Sequence, residues 1–181
     1  MLTLAATTSA AQAPVYSIEA IRYANSPGDA VADMVMGAPE DEKIESIYAI
    51  WLIRGGGRNI LFDKELIRIN ADGRLRLVDG DDQEIIPGIR VYTGARHTYA
   101  SQYLRVNGNP AYVLASDNVY LYRNLTTHSA SATFSDADHA ANVAAQRRMS
   151  ELAGSPDRIV PGHDALQFQR FPTEGRIARI R

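Results

Sequence analysis

"SIYAIWLIRGGGRNILFD", residues 46–63, joins a near-continuous apolar run to a glycine triplet and a second short apolar run. The first run, 46–54, is rich in β-branched and aromatic side chains and is followed by glycine, which predicts a strand buried on both faces. Gly55-Gly56-Gly57 with Arg58-Asn59 then turns the chain back into 60–63, a hairpin signal. A phosphate-binding loop is excluded here, because no Gly-Lys-Ser/Thr follows the glycines and no helix pattern begins there. The chain is therefore organised around sheet.

Upstream, "VYSIEAIRYA" (15–24) alternates apolar and polar residues as a strand does. "SPGDAVADMVMGAPEDEK" (26–43) reads as a polar connection punctuated by Gly and Pro. Downstream, 64–94 predicts a short helical piece, a turn at Asp72-Gly73, a strand "RLRLV" and a strand "IRVYT". Residues 101–117 predict a second hairpin across Asn107-Gly108-Asn109-Pro110. Tyr103, Tyr112, Tyr120 and Tyr122 fall in strand-like stretches and read as core and rim packing. One long helix is expected over 135–154. Ser135 would cap it, Asp136 and Asp138 suit its N-terminal dipole, and Gly154 with Pro156 stops it. Its apolar stripe is Ala141, Ala145, Met149 and Leu152. The tail "GRIARIR" reads as a solvated edge strand. Strands before and after helices argue for an α+β class with helix outside sheet.

Length and charge narrow the function. A chain of 181 residues with 45% hydrophobic and 22% charged side chains has the composition of a globular domain. A net charge of −2 gives no electrostatic case for nucleic acid or an anionic membrane. With no cysteines, disulfides, thiolate metal sites and cysteine nucleophiles are all excluded. Residues 1–13 end in Ala11-Gln12-Ala13, a small-x-small pattern, but lack a basic start. They read as a clipped signal peptide, implying a periplasmic or secreted protein, or as a disordered start to a cytoplasmic one. No stretch approaches the roughly 20 apolar residues of a membrane-spanning helix.

Three metal-competent side chains follow strand-like runs: His97 in "YTGARHTY", Asp117 in "AYVLASDN" and His163 in "IVPGHD". Strand ends on one sheet edge converge, and imidazole with carboxylate is what zinc or iron needs. His128, in a Ser/Thr-rich loop, and His139, in the first turn of the helix, are expected at the surface. Asp164 is expected to cap a turn.

The order Gly-x-x-His-Thr, then a strand ending Ser-Asp, then Val-Pro-Gly-His-Asp resembles the second half of a metallo-β-lactamase-superfamily hydrolase of the N-acyl-homoserine-lactonase-like branch. "YSIEAIRYANSPG" and "IWLIRGGGRNILFD" resemble that group's opening strands, so the likeness covers nearly all of 15–168. The resemblance implies an αββα sandwich over 14–181 as a single domain. It also implies up to two zinc ions and a small lactone or ester substrate. His97 would be a ligand of one metal and His163 of the other. Asp117 would bridge both and orient the attacking hydroxide.

The likeness breaks where the superfamily carries His-x-His-x-Asp-His, because the sequence contains no such motif. After "ILFD" the chain passes directly to "KELIRINADGRLRLVDGD", which resembles a much later part of those sequences. The domain is thus expected to be truncated in its first half, with the junction at Asp63–Lys64 and weak or absent zinc. Recruitment of Asp29, Asp33 or Asp63 would be one repair. A catalytically silent deletion product or binding module is the alternative. Loss of cover over the first hairpin is expected to bare apolar surface near Ile50, Trp51 and Leu52 and to favour self-association.

Overall fold

The computed structural model describes residues 14–62, 78–94, 101–131 and 139–181. The hairpin that opens the sequence argument is present. Strand β2 (Lys43–Gly55) pairs with β3 (Arg58–Phe62), with Gly55 opposite Arg58. The two turn residues between them, Gly56 and Gly57, both have positive φ, +56° and +71°. That is the twist-matched two-residue turn, and it requires residues without a Cβ.

β1 (Ser17–Ala30) runs antiparallel to β2 and is longer than the sequence pattern indicates. "SPGDA" (26–30) was expected in a connection, yet it continues the strand through a register shift between Ser26 and Asp29. Pro27 and Gly28 sit in that irregularity, where the missing amide hydrogen of proline breaks no ladder bond. Two short strands complete this sheet, β9 (Thr173–Glu174) and β10 (Ile177–Arg179), in the order β3-β2-β1-β10-β9. The basic tail is therefore an inner strand beside β1, not a solvated edge. Ala178 and Ile180 are buried while the arginines alternate outward.

The second sheet has the order β4-β5-β6-β7-β8. Its strands are β4 (Gln83–Ile86), β5 (Ile89–Thr93), β6 (Gln102–Val106), β7 (Tyr112–Ser116) and β8 (Ile159–Pro161). β7 and β8 run parallel and the other pairs antiparallel. Alternation along these strands divides two cores. Ile89, Val91, Leu104 and Leu114 face Ile18, Trp51 and Ile53 of the first sheet. Tyr92, Tyr103, Val113 and Ala115 face the helices on the other side. The buried Tyr16 ties the sheets together, its hydroxyl donating to Pro87 O at 2.8 Å.

β2 is sealed on one face only. Trp51 and Ile53 are buried between the sheets, whereas Ile50 and Leu52 on the opposite face are half-buried. Exposure near Trp51 is thus smaller than expected, because its ring packs on Phe62 with centroids 5.7 Å apart.

Helix α1 (Tyr122–Thr127) includes Tyr122, which the sequence pattern placed in a strand. Helix α2 (His139–Ala153) covers the second sheet as expected, but its buried face is Asn142, Gln146, Met149 and Ala153. The amide nitrogens of the inward polar pair are partnered locally. Asn142 Nδ2 donates to Asn118 O at 3.0 Å, and Gln146 Nε2 donates to Ser129 O at 3.0 Å. Ala145 and Leu152 of the expected stripe pack at the margin of that core. Helix α3 (Gln167–Arg170) follows β8. Together the layers form a metallo-β-lactamase-like αββα arrangement of mixed sheet and helices. Among the described residues no helix is long and apolar enough to cross a membrane.

Candidate functional site

Parallel neighbours end on the same edge of a sheet, so the loops that leave β7 and β8 start side by side. This brings Asp117 and His163 together, with Asp117 Oδ1 2.9 Å from His163 Nε2. His163 is only 7% exposed, and its other ring nitrogen, Nδ1, lies 3.0 Å from Ile47 O. The backbone is stitched at the same place. Ile47 N–H donates to His163 O at 3.0 Å, and His163 N–H donates to Tyr120 O at 3.0 Å. The imidazole also lies edge-on to Tyr48 and beside Tyr120, with centroids at 5.3 and 5.0 Å.

Two local features aim Asp117. The β7–β8 register shifts between Leu114 and Ser116, and Ser116 has a φ of +51°. A bulge of this kind re-aims the side chain after it, and a non-glycine residue at positive φ costs of order 1–3 kcal/mol. Opposite it stands Gly162. A Cβ there would lie 2.8 Å from Ser116 O and 3.3 Å from Asp117 Oδ1. The glycine of "VPGHD" is thus needed for close approach of the two loops.

Asp164 caps, as its sequence position suggests. Its two carboxylate oxygens accept from Tyr122 N–H and Leu166 N–H, each at 2.8 Å. Burial pushes its carboxyl above the usual carboxylate range against those two donors. Asp29 behaves in the opposite way. Hydroxyl donation from Ser46 and from Ser26 holds its carboxyl below the usual range against partial desolvation. Burial, then the Asp117 charge, push the Tyr120 phenol up.

The remaining candidates separate. His97 and Asp63 lie outside the described residues, as does the 63/64 junction. Asp33 is exposed in the 3-10 turn Val31–Asp33. His128 is exposed at the C-cap of α1, and His139 is partly exposed at the start of α2. Sequence reasoning did not anticipate the Ile47 carbonyl, Tyr48 or Trp51. The last two line a narrow cleft of about 10 Å³, room for about one water, with Tyr23, Asp117, Gly162 and His163. A backbone carbonyl carries no sequence signal, and aromatics in a strand pattern read as core.

The chemistry of the pair follows from its acceptors. Ile47 O can only accept, which places the neutral ring's proton on Nδ1 and leaves the Nε2 lone pair facing a carboxylate oxygen. Two acceptors at this distance hold together around a shared cation, either a second proton or a metal ion. Zinc–nitrogen and zinc–oxygen bonds of about 2.0–2.2 Å place neighbouring tetrahedral ligands roughly 3.3–3.6 Å apart, wider than the 2.9 Å seen, which is a hydrogen-bond distance. An imidazole whose far nitrogen donates to a carbonyl is also the usual outer support of a metal ligand. The pair has the donor chemistry of two metal ligands, held here at hydrogen-bond distance. Among the described residues, no group of three or more His, Cys, Asp or Glu is placed to hold a metal ion.

Solved structures with the same arrangement are known. A quorum-quenching N-acyl homoserine lactone lactonase superposes with a TM-score of 0.67 at 13% identity, over 88% of this chain and 96% of that one. An N-acyl homoserine lactone hydrolase with N-hexanoyl-L-homoserine at its catalytic metal centre gives 0.67 at 12% identity, over 88% and 97%. A probable metal-dependent hydrolase from Staphylococcus aureus gives 0.66 at 11%, over 84% and 91%. The fold is shared with lactonases. No protein-family model matches the chain, and no curated protein matches it in sequence.

Proposed function

We propose that this chain is a metal-dependent hydrolase of lactone or ester substrates by descent, with an incomplete zinc site in which His163 and Asp117 are the retained ligand pair. One observation carries the reading: two acceptor atoms, His163 Nε2 and Asp117 Oδ1, face each other at 2.9 Å on the edge where β7 and β8 end. His97 would be a further ligand. Bound zinc would supply a Lewis acid for the substrate carbonyl. The chain's own residues do the rest. Ile47 O fixes the tautomer of His163, Gly162 lets the two loops meet, and the Ser116 bulge points Asp117 at the ring. With two described ligands where catalytic zinc has about three, binding would be weak.

The same contact favours a second reading, in which a proton bridges the pair and the chain is a catalytically silent binding module. Calorimetric zinc titration of the wild-type chain and of His163→Ala, run beside a lactone-hydrolysis assay with zinc added, separates the two. Zinc binding and turnover that both vanish in the variant support the hydrolase. Binding without turnover supports the silent module. Binding that ignores the substitution removes the ligand assignment.

A further inference from the structure

Two histidines that the hydrolase reading leaves unused, His128 and His139, line a second cleft of about 430 Å³. It shares no described lining residue with the narrow cleft at His163. Small molecules bind in cavities of roughly 300–1,000 Å³, so this one has room for a ligand. His139, Val143 and Arg147 recur every fourth residue along α2 and lie on one face of it. Met36, Ser129 and Ala130 supply the rest of the wall, and the parts are tied together. Met36 N–H donates to Ala130 O at 3.0 Å, and Gln146 Nε2 of α2 donates to Ser129 O at 3.0 Å. The cleft is thus preformed. His128 enters it from the C-cap of α1 with a φ of +53°, a left-handed conformation that glycine ordinarily fills at a helix end. Among the described residues the side chains of His128, His139 and Arg147 make no hydrogen bond or ion pair.

This wall is a set of donors without a counter-charge. Arg147 is permanently cationic, both imidazoles and the Ser129 hydroxyl can donate, and among the described residues no carboxylate lines the cleft. A guanidinium beside the histidines repels a metal cation and attracts an oxyanion. Met36, Ala130, Ala140 and Val143 are apolar and suit a body attached to that anion. We infer that the cleft binds a phosphate monoester with a compact apolar body, its phosphoryl oxygens held by Arg147, His128, His139 and Ser129. The three terminal oxygens of a phosphoryl group match this donor set better than the two of a carboxylate. The site stands apart from the His163–Asp117 pair and does not depend on the hydrolase reading.

Metal-free full-length protein would be titrated calorimetrically with phenyl phosphate, benzoate, neutral benzyl alcohol and, separately, nickel ion. NMR of the imidazole rings would follow the histidines in the wild-type chain. The expected result is saturable binding of phenyl phosphate, with the His128 and His139 signals moving at the same midpoint and those of His163 unmoved. Arg147→Gln should weaken binding about tenfold through loss of a charge-assisted hydrogen bond. His128→Asn, which keeps a residue tolerant of the left-handed cap, should weaken it about fivefold. Both side chains stand at the surface, so neither substitution disturbs the core. Binding that ignores Arg147→Gln, or that moves His163 alone, overturns the assignment to this cleft. Benzoate or benzyl alcohol binding at least as tightly as phenyl phosphate overturns the phosphate class. Nickel binding through both histidines with phenyl phosphate inert makes the cleft a metal site and overturns the proposal, as does no binding by any probe.

Discussion

His163 owes its position to bonds made by residues far from it in sequence, and each can be tested by substitution. Asp164 satisfies two backbone donors from different segments, Tyr122 N–H and Leu166 N–H. Replacing it with alanine strands both, at about 1–3 kcal/mol for each buried group less the relief of a buried carboxylate. We expect Asp164→Ala to lower the urea midpoint by the equivalent of about 2 kcal/mol; an unchanged midpoint would mean the cap contributes nothing. Asp29 supplies the pH dependence. Its folded-state carboxyl is held below 3.8 by Ser46 and Ser26, so the unfolded chain takes up its proton first as pH falls. The stabilisation is fully present above 3.8 and is lost as pH falls through the lower folded value. Acid titration of stability should show this loss in the wild-type chain, and the slope should be shallower in Asp29→Asn. Equal slopes would show that the serine donors do not matter.

Secondary-structure elements show where periodicity succeeds and where it is overridden. The β2–β3 hairpin and the β6–β7 hairpin stand where alternation and turn residues place them. Helix α2 is also in place, but it is rotated so that Asn142 and Gln146 face inward, against the hydropathy ranking. The reason is the segment beneath them. Ser131 N–H, Asn118 O and Ser129 O need partners, and only polar side chains supply them. Asn142→Leu should therefore destabilise, by about 1–3 kcal/mol, although it makes the helix face more apolar. Met149→Ala, which empties a fully buried position, should cost about 2–5 kcal/mol. Chemical denaturation of both variants gives the comparison, and a stabilised Asn142→Leu would refute the account of the polar face.

At the scale of the whole molecule, the predictions concern metal and association. With two described ligands in place, added zinc should raise the melting temperature little and a mild chelator should strip it. Elemental analysis finding close to two tightly held metal ions per chain would contradict this and establish a complete site. Among the described residues β3 pairs with β2 alone, and Leu61 on it is 46% exposed. An open strand edge carrying apolar residues favours pairing with another chain. Size-exclusion chromatography with light scattering should find concentration-dependent oligomers, and a strictly monomeric species at all concentrations would count against the open edge.

Local rules were enough to read the class, the two hairpins, the long helix and the strand ends bearing Asp117 and His163, because alternation, turn glycines and caps act over a few residues. The helix-bound Tyr122, the continuation of β1 through Pro27 and the inner position of "IAR" lay beyond them. Each depends on a partner strand or loop distant in the chain. The site divides in the same way. Asp117 and His163 were legible as residue types after strand-like runs. Their contact came from the parallel pairing of β7 with β8, the orientation of the imidazole from the Ile47 carbonyl, and the approach of the loops from Gly162 against Ser116. Side-chain chemistry is written residue by residue, but the distance between two side chains is set by the strands that carry them, and those strands are paired only in the folded sheet.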